Sequence, residues 1–408
     1  MQLAKVFSIY AGISKDAKYL IYASIFPSIA YGLIFTDLSY FLTAVQEVSA
    51  EFTGIVLSTM GISTFVASLF LGIAADVYGR KKLLIFGTAL ASLILMTFAL
   101  TTNHLLLLGA AIIEGISEAA IFASSSALLA DKVAAEKRTS AFSLYGFVQS
   151  IAFGIGSFAI PAVLIFELIG FTNRESHIIL YVLISMLSLI STLIILKIGE
   201  SIRLKKSVKG YSDFLPKKSR NVLLKYVFTG ALIAFGAGMV VPLMTLWFNL
   251  QYSISDAISA PILGLSSLLI AFATLVAPLL AKRYGLIKAI VATQIASTLF
   301  MLATPLSPNY ALAGFVYSIR ALLMNMASPL SQSMIMGLVA EDERGAASGI
   351  SGALWRLPNA LSTFVGAWLM GLGLLAEPFF VASLFYTISI IIFWHYFRRV
   401  ELPEEKSA

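Results

Sequence analysis

The chain has 408 residues, of which 59% are hydrophobic and 12% charged, with a formal net charge of +7 and no cysteine. Its mean hydropathy of +0.91 is too high for a soluble globule, which needs a charged skin. The missing cysteine excludes disulfides, thiolate metal sites and a cysteine nucleophile, and the basic residues lie between apolar runs instead of along one face, a topology signal and not a nucleic-acid footprint.

The residues from Met1 to Leu20 lead into an apolar run too long for a signal-peptide core and lacking a small-residue cleavage site, so a retained first span is expected. Further along, apolar spans fall near 18–43, 52–75, 83–101, 105–130, 139–166 and 177–197, then near 221–250, 258–281, 286–305, 309–338, 344–371 and 376–397. Each is long enough as a helix to cross about 30 Å of hydrocarbon. The expected fold is an all-α membrane protein of two six-helix bundles, over 1–199 and 221–408, joined by a cytoplasmic linker over 200–220 and ending in a short cytoplasmic tail. Of the 28 Lys and Arg, only Arg174, Arg320 and Arg356 fall outside the inward-facing segments. Both termini are therefore expected in the cytoplasm, with the chain in the plasma or inner membrane and its basic linker touching anionic lipid.

A single shift of 206 residues superposes Gly32 on Gly238, Tyr78-Gly79 on Tyr284-Gly285, Lys82 on Lys288, Ser125 on Ser331, Arg138 on Arg344, Ala141 on Ala347 and Gly146 on Gly352. One ungapped offset that matches loop to loop and helix to helix predicts two parallel repeats.

Between spans two and three stands Gly72-Ile-Ala-Ala-Asp76-Val-Tyr-Gly79-Arg80-Lys81-Lys82. In it Gly72 allows close helix approach, Gly79 a tight turn, and Asp76 a carboxylate at the positive end of a neighbouring helix. The segment is similar to the G-x-x-x-D-x-x-G-R-[KR] loop of the major facilitator superfamily, and Asp131-Lys-Val-Ala-Ala-Glu136-Lys-Arg138 resembles the family's loop between helices four and five, echoed by Glu343-Arg344-Gly-Ala-Ala347. The resemblance implies secondary transport by alternating access. It also implies that Gly72, Asp76, Gly79, Arg80, Lys81, Asp131, Arg138 and Arg344 form a cytoplasmic gate, with Asp76 at the start of helix eleven and Arg80 paired with Asp131 while the outer side is open. The pattern is not kept throughout. The second half has Lys282 at the acidic position, helix five keeps only Gly156 and Pro161 of the antiporter pattern, and Ala111 stands where drug exporters carry a base.

Ionisable residues deep in a span are costly and are functional candidates by default. Glu114 and Glu118 lie one turn apart on span four and share a face; Arg320 on span ten is the repeat equivalent of Glu114, and Arg356 lies inside span eleven. The resemblance places Glu114 and Arg320 across a central cavity, as proton-exchanging or substrate-binding groups or as a structural ion pair. Asp37, near the end of span one, either lines the outer vestibule or reaches the interface. Gln149, Asn325, Ser328 and Gln332 offer neutral polar contacts, or hydrogen bonds between helices. Tyr31, Tyr40, Trp247 and Phe248 supply an aromatic wall or packing. His104, His177 and His395 show no ligand spacing, so neither a metal nor histidine catalysis is expected. No phosphate-binding glycine loop is present. The chain is expected to be a monomer without cofactor that exports small amphipathic organic compounds in exchange for protons; the alternative is a proton symporter or facilitator for a sugar or organic acid.

Overall fold

A computed structural model gives the structure of the chain and describes residues 14–134, 137–199, 218–340 and 343–399, without the side chains of 73, 76–77, 138–140, 271–278, 333, 344–346, 348–349 and 353. Most of the linker and the end of the tail therefore lie outside the described residues. Every regular element among those described is helical. In the first half these are α1 (Lys15–Ala23), α2 (Ile25–Tyr40), α3 (Ala50–Tyr78), α4 (Arg80–Leu100), α5 (His104–Asp131), α6 (Arg138–Phe158), α7 (Ala162–Leu168) and α8 (Asn173–Leu196). The second half holds α9 (Arg220–Gly238), α10 (Met244–Tyr252), α11 (Asp256–Tyr284), α12 (Leu286–Ala303), α13 (Tyr310–Leu338), α14 (Arg344–Gly371) and α15 (Glu377–Phe397). Ten stretches of the described chain are long and apolar enough to cross a membrane, and α11 and α14, of 29 and 28 residues, are long enough to do so.

Three expected spans are interrupted, each for a local reason. The first is divided at Ser24 and ends in a π-turn over Phe41–Val45. The fifth divides into α6 and α7 where Pro161, which has no N–H to donate and whose ring crowds the preceding turn, caps α7. The seventh divides into α9 and α10 at a 3₁₀ turn, Val241–Leu243, that contains Pro242. Pro329 and Pro358 stand inside continuous helices instead, as neighbours in a bundle permit.

The 206-residue offset recurs in the helix starts. Ala50 and Asp256 open α3 and α11, Arg80 and Leu286 open α4 and α12, His104 and Tyr310 open α5 and α13, and Arg138 and Arg344 open α6 and α14. Gly79 and Gly285 make the same turn with φ of +120° and +84°, a region open to glycine at little cost. The offset also holds for helix contacts. A Cβ on Gly32 would stand 2.1 Å from Phe153 O, and one on Gly238 would stand 2.0 Å from Asn359 O. Backbones thus touch in both halves because glycine has no side chain there. Gly72 does not serve this purpose: no described atom lies within 4 Å of where its Cβ would be. Its expected close approach is corrected, and the exposed Gly72 leaves the tight contacts to Gly32 and Gly238.

The chain forms two compact units. Unit 1 comprises Met1–Val48, Thr59–Leu204 and Asp256–Gly264; unit 2 comprises Ser49–Ser58, Lys205–Ser255 and Leu265–Ala408. In unit 1 Leu20, Ile21, Leu128, Leu129 and Ile195 share a buried cluster, and in unit 2 Ile290, Met334, Phe393 and Phe397 do the same. Trp247 and Phe248, both wholly buried, pack with Phe379 and Tyr252 and are structural; the Trp247 indole N–H donates to Leu375 O at 2.9 Å.

The glycine contacts yield a test. Gly238→Ala is expected to destabilise the protein by about 1–3 kcal/mol, the usual cost of overpacking. Gly146→Ala, whose added Cβ meets no described atom, is expected to leave stability unchanged or raise it slightly. Thermal unfolding in detergent, followed by tryptophan fluorescence, distinguishes the two.

Candidate functional site

Unit 1 contains a carboxylate pair where α5 meets α3. Gly115 lets the helices close up, since its Cβ would lie 2.4 Å from Met60 O. The neighbouring Glu114 is 7% exposed, and its Oε2 has no hydrogen-bond partner among the described residues. One turn on, Glu118 is half-buried, and Thr64 Oγ1 stands 3.0 Å from Glu118 Oε2 and 2.9 Å from Met60 O. A threonine hydroxyl has one proton. Directed at Glu118, that proton stabilises an ionised carboxylate; directed at Met60 O, it leaves the hydroxyl oxygen to accept from a protonated Glu118. The site therefore suits both protonation states of the acid.

A second acidic group in the same unit joins three helices. Asp37 of α2, His177 of α8 and Asp256 at the start of α11 are 0%, 0% and 1% exposed. His177 Nε2 is 2.9 Å from Asp256 Oδ2, and its Nδ1 is 2.8 Å from Asn173 O. The Tyr181 hydroxyl donates to Asp37 Oδ2 at 3.0 Å, while Asp37 Oδ1 has no partner among the described residues. This placement corrects two expectations. Asp37 neither lines a vestibule nor reaches an interface, because Tyr181 holds it inside the unit. His177 is no isolated residue at a span end; its acidic neighbours lie far off in sequence, so spacing along the chain could not reveal them. His177 and Tyr181, one turn apart, share a face of α8, and Tyr181 reaches Asp37 from it.

Unit 2 holds Arg320, 3% exposed. Its Nη2 donates to the Tyr386 hydroxyl, its guanidinium lies 5.6 Å from the ring centres of both Tyr317 and Tyr386, and its Nε has no partner among the described residues. Asn325 Nδ2 donates to Ala321 O at 2.8 Å, so part of its amide serves its own helix. Gln149 and Arg356 are half-buried, whereas Ser328 and Gln332 are exposed. Tyr40 is buried, and Tyr31 rests against Phe35 and Phe153.

Near the other end of α5, Arg80 Nη1 lies 2.6 Å from Asp131 Oδ1 and donates to Ala127 O at 3.2 Å. Lys81 Nζ donates to Leu196 O at 2.9 Å. The side chains of Asp76, Arg138 and Arg344 lie outside the described residues. Each unit also ties the start of its first helix to a loop: Lys132 Nζ is 3.0 Å from Asp16 Oδ2 in unit 1, and in unit 2 Glu343 accepts from the backbone N–H groups of Lys218 and Ser219 at 2.9 and 2.8 Å.

A family model described as Major Facilitator Superfamily matches residues 19–363 and 227–408. The chain belongs to this family. It is accordingly a multi-pass membrane transporter of small molecules with the family's two-bundle fold, and not an enzyme. Among relatives, the uncharacterized membrane protein YJR124C of Saccharomyces cerevisiae is 22% identical over 82% of this chain and 86% of its own. The Bacillus subtilis protein named Multidrug resistance protein 2 is 30% identical over 31% of each chain. Among solved structures, the nucleoside transporter NupG aligns with a TM-score of 0.72 at 14% identity, covering 95% of this chain and 100% of that one. A bacterial homolog of the human lysosomal transporter Spinster, in an inward-facing and unoccupied conformation, aligns with a TM-score of 0.75 at 14% identity, covering 94% and 97%. At such identity these structures speak for the fold alone.

Burial separates two interactions energetically. The Arg80 and Asp131 side chains are 25% and 32% exposed, so a double-alanine cycle is expected to give a coupling below about 1 kcal/mol, as for partly solvated pairs. Tyr181→Phe removes the donor to a fully buried Asp37 and is expected to cost about 1–3 kcal/mol. Both are read from thermal unfolding of the purified variants.

Proposed function

We propose that the chain is a secondary active transporter that exports small amphipathic organic compounds in exchange for protons, working by alternating access. The observation that carries this reading is Glu114: a buried carboxylate whose Oε2 has no partner among the described residues, one turn from a Glu118 whose Thr64 partner accommodates the acid and its conjugate base. A buried charge without a partner is costly, so Glu114 is driven to take a proton or a cationic substrate. Glu118 then passes the proton on or shares it. The partial likeness to a protein named for multidrug resistance supports amphipathic cargo.

In the same proposal the protein acts as a monomer in the plasma or inner membrane with both termini in the cytoplasm, as the distribution of lysine and arginine favours. The loops around Asp76, Arg80, Asp131, Arg138 and Arg344 serve as its cytoplasmic gate, the Arg80–Asp131 pair being made in one state and broken in another. The 1–199 and 221–408 halves act as the moving bodies. A second reading, uptake of an organic acid or sugar with protons or by facilitation, is favoured by the Nε of Arg320, which has no partner among the described residues and is a donor suited to an anionic group.

Reconstitution in liposomes tests both. Cationic drugs are expected to elicit proton movement that Glu114→Gln abolishes and Glu118→Gln reduces at least tenfold, with Arg320→Gln altering it little. Organic acids that move in an Arg320-dependent manner would select the second reading. Cargo movement without any proton flux would overturn proton coupling.

A further inference from the structure

The buried trio in unit 1 has the chemistry of a cation site. The candidate donor atoms of Asp37, His177 and Asp256 all lie within 4.8 Å of one another. Ligands about 2.0–2.2 Å from a tetrahedral zinc ion stand roughly 3.4 Å apart, so small side-chain shifts would bring all three onto one ion.

The distribution of hydrogen bonds points the same way. Asn173 O can only accept, so the proton of a neutral His177 imidazole sits on Nδ1, and the lone pair of Nε2 faces Asp256. Asp37 is arranged alike: its Oδ2 is engaged by the Tyr181 hydroxyl and its Oδ1 is left without a partner among the described residues. Backbone or hydroxyl groups on the periphery thus hold two of the three candidate ligands by one atom each, and the other atom is left for the centre. This is the outer support that metal-binding histidines and carboxylates characteristically have.

Charge makes a further demand. Two carboxylates and a neutral imidazole bring a charge of −2 into a place that water does not reach. One proton between His177 and Asp256 leaves −1 on the group, a costly arrangement in a low-dielectric interior; a second proton on Asp37, or one doubly charged cation in place of both protons, balances it. Around it Phe41 stacks on His177 at 5.5 Å and on Tyr181 at 4.7 Å, with Tyr40 at 6.3 Å from the imidazole. The titratable neighbours in this wall are therefore Tyr40 and Tyr181.

We propose that Asp37, His177 and Asp256 bind one divalent transition-metal ion of the zinc or cobalt kind, through one imidazole nitrogen and two carboxylate oxygens. The nitrogen donor and small ligand number disfavour calcium and magnesium, which require more oxygens. The site shares no residue with the Glu114–Glu118 pair, so its metal binding is tested apart from the proposed function.

The test uses full-length protein in detergent, freed of any polyhistidine tag and stripped with chelator. Calorimetric titration with zinc at neutral pH is expected to show one ion per chain, and zinc to raise the thermal unfolding midpoint. Affinity should fall as pH drops and protons compete for the ligands. His177→Gln and Asp256→Asn are expected to weaken binding at least 100-fold, whereas His104→Gln and His395→Gln, at exposed positions, leave it unchanged. Should the ligand variants fail to fold, the visible spectrum of the unmutated protein with cobalt decides, because nitrogen-and-oxygen coordination in a dry site gives bands that cobalt in buffer lacks. Failure of zinc and cobalt to bind at millimolar concentration overturns the proposal, as does undiminished binding in a folded ligand variant. Stabilisation by acid with no response to metal also overturns it and makes the trio a proton site only.

Discussion

Hydrocarbon offers backbone amides nothing to bond with, and that constraint governs how this chain is built. Each spanning segment must satisfy its own peptide groups as a helix, and the helices must then find one another without the aid of a hydrophobic effect between them. They do so where side chains vanish. Gly32 admits Phe153 O and Gly156 admits Ile29 O, while Gly238 admits Asn359 O and Gly366 admits Met239 O. These contacts bind the first and fifth spans in one unit and the seventh and eleventh in the other.

The same shortage of solvent sets the terms on which charge enters. Unit 1 meets them in two ways. At Glu118 a threonine hydroxyl adapts to the acid or its conjugate base, while Glu114 beside it has an oxygen with no partner among the described residues. At Asp37, His177 and Asp256 the outward atoms are largely tied and the inward ones converge. Unit 2 uses aromatic rings, with Arg320 lodged between Tyr317 and Tyr386. This third arrangement keeps a fixed positive charge at modest desolvation cost.

Much of the architecture was legible because it is periodic. Apolar length located the spans, and the ungapped offset that pairs Gly79 with Gly285 also pairs the starts of eight helices. Less legible were the interruptions at Pro161 and Pro242, because proline breaks a helix only where its neighbours do not compensate, as they do at Pro329 and Pro358. Glycine was ambiguous too: Gly32 and Gly72 look alike in a sequence, yet among the described residues only Gly32 of the two stands against another backbone. The candidate site divided similarly. Glu114, Glu118 and Arg320 stood out as charges in apolar runs, and Asp37 could be noticed but not placed. His177 and Asp256 lie beside span ends, where charged and polar residues are ordinary, and nothing local distinguishes a buried partner from a wetted one. Their meeting depends on three helices converging, a fact of tertiary packing that no window of sequence contains.

The boundary between the units does not follow the boundary between the repeats. The first nine residues of α11 belong to unit 1, and the stretch Ser49–Ser58, which includes the start of α3, belongs to unit 2. A gene divided within 200–217 would therefore encode two fragments, each missing a piece of its own packing and carrying a piece of the other's. His177 would be made on one polypeptide and Asp256 on the other. Such halves are complements by construction, and a division that respects the repeats still cuts through both compact units.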